Sequence, residues 1–132
     1  AEVFGNKYGT LKSPIIEKLN NGIDILFDID WQGTQELKEK ESKHLVSVFI
    51  LPPSTKELEK RLLNRAQDSK EVVKKRMSEA TSEMTHWAEY DYVIINDNIE
   101  QTLQKLIAIL TAERLKRKRQ TGLNSFVRKV IF

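Results

Sequence analysis

The chain has 132 residues, 39% of them apolar and 31% charged, with 22 Lys and Arg against 19 Asp and Glu, for a formal net charge of +3. These values exclude two domains of ordinary size, a disordered chain and a bilayer span of roughly 20 apolar residues. With no cysteine there are no disulfides, thiolate metal sites or cysteine nucleophiles, and the two histidines, His44 and His86, are too far apart in sequence to predict an imidazole-centred zinc site.

Along the chain, Ser13-Pro14 reads as an N-cap and first-turn proline and Asn20-Asn21-Gly22 as a stop, which predicts a short helix over 14–20. "IDILFDI", residues 23–29, predicts a strand, and a helix is predicted from Thr34 to Glu41. "HLVSVFIL", residues 44–51, is a near-continuous apolar run of the kind found in strands buried on both faces, and Pro52-Pro53 ends it. Residues 55–65 and 70–87 have helical spacing on either side of a polar "AQDS". "YDYVIIND", residues 90–97, predicts a third strand. The last long helix, Ile99 to about Lys118, carries Leu103, Leu106, Ile107 and Leu110 as an i, i+3, i+4, i+7 stripe. The basic run "RLKRKR", Arg114 to Arg119, suits the negative end of that helix's dipole. Without interleaved aromatics for base stacking it predicts no nucleic-acid partner.

Strands alternating with helices imply parallel pairing through right-handed crossovers, with helices on both faces of the sheet. Three strands are few for such a sheet, and "AEVFGNKYGT" carries no start signal, so the sequence reads as the back part of a larger α/β domain.

In open α/β sheets ligands lie beyond the carboxyl ends of the strands. Asp28 and Asp30, two apart at the end of one predicted strand, and Asn96 and Asp97, at the end of another, are therefore candidate site residues. The plain alternative is that the carboxylates pair with lysines or cap the next helix through Gly33. Arg61 and Arg65 are spaced i, i+4 on a predicted helix, where like charges repel unless something anionic compensates. Glu57, one turn earlier, supplies that compensation in the plain reading. In the other, Arg76 folds back from the next helix as a third guanidinium, and a helix-loop-helix with three arginines serves as a phosphoryl-transfer lid. Tyr8, Gly9 and Thr10 offer a phenol and a hydroxyl beside a flexible residue, or an ordinary strand-to-helix turn.

"EVFGNKYGT", "ILFDIDWQGTQ", "FILPPSTKELEKRLLNR", "KKRM" and "AEYDYVIINDN" together resemble, in order and spacing, the guanylate kinases, and the details look bacterial. The resemblance implies an incomplete, C-terminal part of the parallel-sheet, three-layer P-loop nucleoside monophosphate kinase fold. It implies ATP-dependent phosphorylation of GMP to GDP, with Mg²⁺ carried by the nucleotide. By the same resemblance, Tyr8 would hold the GMP phosphate and Thr10 the guanine, with Asp30 nearer the base and Asp28 nearer the phosphate and metal-bound water. Arg61, Arg65 and Arg76 would grip the donor phosphates and the transferring group, and Asn96 would lie beside the adenine. Residues 1–12 would end the GMP-binding domain, 61–77 form the lid, and 13–60 and 78–132 make up the core and C-terminal helix.

The family's phosphate loop, G-x-x-x-x-G-K-[ST], does not occur in these residues. The parent protein is accordingly expected to be an enzyme, and this chain alone to be inactive. Its exposed sheet edges and apolar helix faces predict self-association or a homo-oligomer. No membrane partner is expected, and the expected compartment is the cytoplasm. A non-catalytic guanylate-kinase-like interaction module is the alternative.

Overall fold

A computed structural model describes residues 1–3, 6–65 and 69–132, with the side chains of Val3 and Arg65 outside that description. The chain forms two compact units, Ala1–Phe49 with Asp68–Tyr92 and Ile50–Gln67 with Val93–Phe132.

In the first unit, β1 (Glu2–Val3) and β2 (Asn6–Lys7) form an antiparallel pair in which Glu2 faces Lys7. This hairpin was not signalled by the sequence. α1 spans Lys12–Asn20, two residues longer at its start than predicted. Ser13 lies inside it, and the capping position is Leu11, whose side chain makes no capping bond. Gly22 takes φ +75° just past its end, where a Cβ would be strained.

The predicted strand over 23–29 does not form: among the described residues, 23–30 belong to no sheet. Apolar β-formers supply side chains for a pleated surface but not the adjacent ladder that makes a strand. Leu26 is 95% exposed there. α2 (Trp31–Glu41) starts three residues before its predicted Thr34 because Asp30 is its N-cap. α4 (Lys70–Met84) is capped by Ser69, whose side chain accepts from the Val72 amide, and it ends three residues short of the predicted 87, where a 3₁₀ turn, Trp87–Glu89, takes over. Phe49 and Val73 are buried, and the Tyr90 ring meets Phe49 edge-on at 4.7 Å and 77°.

The predicted strands 44–51 and 90–97 shorten to β3 (Val48–Leu51) and β4 (Tyr92–Ile95), which pair with each other. The Tyr92 amide donates to the Ser47 carbonyl and the Asn96 amide to the Leu51 carbonyl, the same residue offset in both, as parallel pairing requires. Ser47 is buried with its amide and hydroxyl both on the Asp91 carboxylate, at 2.9 and 3.1 Å.

In the second unit, α3 spans Thr55–Arg65 as predicted. α5 covers Ile99–Leu115, ending three residues before the predicted Lys118. Asn98 caps it through the amides of Glu100 and Gln101. The basic run continues into a 3₁₀ turn, Arg117–Arg119, and the buried Glu113 carboxylate takes Lys116 at 2.8 Å, so part of that run is structural. α6 (Leu123–Ile131) was not predicted. Ile94 is buried, whereas Leu103, Ile107 and Leu110 of the apolar stripe are exposed, as are Phe126 and Val130 on α6. An amphipathic pattern commits a segment to helix without supplying the surface it packs on. Among the described residues no helix is long and apolar enough to cross a membrane.

Candidate functional site

Two clusters bring predicted site residues together, one in each unit. The first is built at the start of α2. Asp30 is extended, φ −79° and ψ 178°, and its Oδ1 accepts the Gly33 amide at 3.1 Å while its carbonyl accepts from the Thr34 amide and hydroxyl. The plain reading of Asp30 as a helix cap is therefore realised. The same Oδ1 also accepts a hydrogen bond from the phenol of Tyr8, 22 residues earlier.

Gly33 permits this arrangement. A Cβ there would run into the Tyr8 hydroxyl and lie 3.3 Å from Asp30 Oδ1. The cap, the phenol and the glycine thus form one knot, and the sequence reading named Gly33 only as a helix contact. Asp28 and Thr10 are exposed. Because 23–30 is not a strand, two-residue spacing does not set Asp28 and Asp30 on a shared strand face.

Partial burial, then the hydrogen bond to Asp30 and its charge, push the Tyr8 hydroxyl up to about 12 from its ordinary 10. Burial likewise raises Tyr90, which donates toward Thr34 at 3.5 Å. Since the folded value for Tyr8 exceeds the unfolded one, the stability it contributes is complete below pH 10 and is lost as pH rises through about 12. In a chain carrying Tyr90→Phe and Tyr92→Phe, tyrosinate absorbance should show a single late phenol, and adding Asp30→Asn should bring its titration back toward 10. A remaining phenol that titrates at about 10 before Asp30 is changed would show that the pair does not form.

The second cluster joins α3 to the end of β4. Arg61 Nε donates to Glu57 Oε1 at 3.1 Å, and its terminal nitrogens donate to the carbonyls of Asn96 at 2.7 Å and Asp97 at 3.2 Å. Glu57 compensates Arg61, as the plain alternative has it, and Arg61 also closes the carbonyl end of β4. Asn96 in turn accepts the Thr102 hydroxyl on Oδ1 at 2.7 Å, so its side chain offers the two N–H donors of its amide. A cleft of about 230 Å³ is lined by Ile50, Leu51, Pro52, Leu58, Arg61, Leu62 and Asn96. Its lining is mostly apolar, with Arg61 and Asn96 as its polar members.

Arg76 lies half-buried in the middle of α4 in the first unit. Arg65 is the last residue of α3, and its side chain, like the "AQD" of the predicted break, lies outside the described residues. Among the described residues no three His, Cys, Asp or Glu side chains gather in a way that could hold a metal ion.

The family model described as guanylate kinase matches residues 1–113. The guanylate kinase of Bradyrhizobium diazoefficiens is 59% identical over 128 residues, covering 97% of this chain and 58% of that protein. That of Nitrobacter hamburgensis is 56% identical over 130 residues, with 98% and 59% covered. In structure the chain is similar to crystalline guanylate kinase from Anaplasma phagocytophilum, with a TM-score of 0.81 at 38% identity over 98% of this chain and 62% of that one. The chain thus spans about three-fifths of the length of the curated relatives it matches.

Proposed function

The chain belongs to the guanylate kinase family, and on that premise we propose that the protein it represents moves the terminal phosphoryl group of ATP to GMP, yielding ADP and GDP. What supports this reading is that Tyr8 and Asp30, far apart in sequence and both assigned by resemblance to the acceptor nucleotide, share a hydrogen bond at a helix N-terminus.

In this proposal the Tyr8 hydroxyl turns from Asp30 to the GMP phosphate on binding, Thr10 and Asp30 read the guanine, and Asp28 faces the phosphate and the waters of Mg²⁺. In this reading Mg²⁺ would arrive on the nucleotide, where it would shield phosphate charge. Asn96 donates to the adenine at the apolar cleft, and Arg61, anchored on the β4 end, directs its remaining N–H groups to the donor phosphates. Arg65 and Arg76 meet the transferring group. Residues 61–77 act as the lid, 1–12 close the acceptor domain, and the remaining residues form the core. The compartment we assign is the cytoplasm.

The test is an exchange in which the matching 128 residues of the Bradyrhizobium enzyme are replaced by this chain. The full-length graft should convert GMP with ATP at a rate within about 10-fold of its parent, and the 132-residue chain alone should not, since it has no G-x-x-x-x-G-K-[ST] to cradle the donor. A graft that folds, by circular dichroism, yet forms no GDP would overturn the proposal.

A further inference from the structure

The end of α4 is tied to the start of α2 by contacts that the nucleotide-binding roles do not use. Glu83, in the last turn of α4, accepts the amide of Trp31 at 3.1 Å, 52 residues earlier. Trp31 is the first residue of α2, so a helix-terminal donor that would otherwise need water is taken by a carboxylate from another helix. The Trp31 indole lies flat on the His86 imidazole, centroids 3.8 Å apart and planes 8° from parallel. His86 Nδ1 is 2.9 Å from Glu89 Oε2, which also accepts from Gln35 of α2 at 3.1 Å, and Lys38 of α2 donates to the Glu89 carbonyl. The turn after α4 and the first turns of α2 are thus joined by directional contacts.

The residue before Trp31 is Asp30, which caps α2 and holds Tyr8. On the other side of the clamp, Arg76 and Glu83 are seven residues apart on α4, two turns along one face, or about 10 Å. α4 therefore acts as a spacer with Arg76 at one mark and the Asp30 cap fastened at the other.

We propose that Glu83 and the Trp31–His86 stack are positioning residues: by locking the last turn of α4 to the first turn of α2, they set the distance between the Arg76 guanidinium and the Asp30 carboxylate. The inference rests on the proposed function, in which Asp30 orients the acceptor nucleotide and Arg76 meets the transferring group. Small displacements of reacting partners are costly in rate, so a clamp remote from the chemistry still acts on kcat.

The test is a double-mutant cycle in the full-length graft. Glu83→Ala alone should lower kcat about 10-fold or more with KM for ATP unchanged, and Glu83→Gln, which keeps an acceptor, should recover to within about 3-fold. In an Arg76→Ala background the same Glu83→Ala change should cost less than about 2-fold, because the group it positions is gone. A contact that served stability alone would lower the melting temperature and multiply independently with Arg76→Ala. Losses that multiply, or no loss of kcat, would overturn the inference. Should Glu83→Ala fail to fold, the cycle is run with His86→Ala, which removes the stack and the Glu89 contact but leaves Glu83 on the Trp31 amide. Failure of the unmodified graft to turn over would indict the proposed function, whereas an active graft with independent losses indicts only the clamp.

Discussion

Arg76→Ala in the full-length graft is expected to lower kcat about 10²-fold or more while leaving KM for GMP and ATP within a few-fold. In the proposed reaction the transferring phosphoryl group spreads negative charge over its oxygens as the bond to the leaving phosphate loosens. A guanidinium already in place contributes most at that moment and little to ground-state binding, so its removal falls on kcat. The factor corresponds to about 2.7 kcal/mol of barrier, ordinary for one preorganised donor. Arg76→Lys should restore only part of the rate, since an ammonium keeps the charge but not the planar, bidentate fork. Arg65→Ala should behave alike. Steady-state kinetics at saturating nucleotides measure both, and normal turnover in either variant would remove that arginine from the transfer step. Arg61→Ala is less informative, because its guanidinium also satisfies the carbonyls of Asn96 and Asp97 and its loss mixes stability with rate.

Asp30 permits a cleaner separation. Asp30→Ala removes the cap on the Gly33 amide and the acceptor for the Tyr8 phenol, and it should cost about 1 kcal/mol of stability, within the usual range for a lost N-cap. Asp30→Asn retains an oxygen for both donors, and asparagine caps helices about as well as aspartate, so its melting temperature should stay near that of the parent. Its charge is gone, however, and hydrogen bonds to charged groups are worth about 1.5–3 kcal/mol, which is about a 10- to 150-fold rise in KM for GMP. An unchanged KM for GMP in Asp30→Asn would leave Asp30 as a helix cap only. An Asp30→Asn variant that melts as early as Asp30→Ala would show that the charge, not the cap, stabilises α2.

The helices were largely legible because their signals are local. α3 has its predicted ends, and α5 begins at the predicted Ile99, one residue after the Asn98 cap. α2 starts three residues before the predicted Thr34 because, of the two readings the sequence offers for Asp30, strand end or cap of the next helix, the fold realises the cap. The signal was present: an aspartate three residues before a glycine that opens a helical run. The hairpin of β1 and β2 and the short α6 carried too few periodic residues to register.

Within the site, the sequence identified Tyr8, Asp30, Arg61 and Asn96 as chemically suited residues without indicating how they are held. Glu57 was visible as an i, i+4 partner of Arg61, and the structure places the rest of that guanidinium on backbone carbonyls from the end of β4. Trp31 and Glu83 carried no signal in the sequence, and His86 stood out only as one of two histidines too far apart for a zinc site. An aromatic at the start of a helix and a carboxylate near the end of another belong to ordinary helix composition, and nothing local connects positions 52 residues apart.

Residue order by itself determined the helices, the apolar runs of β3 and β4, and the family to which the chain belongs, since these depend on short-range periodicity, capping and motif spacing. Tertiary structure decided that 23–30 joins no sheet among the described residues, that Asp30 serves Tyr8 and Gly33 together, and that α4 is fastened to α2. The physical reason is that hydrogen-bond partners and stacking faces belong to pairs of groups. A sequence lists the groups, and only the fold selects the pairs.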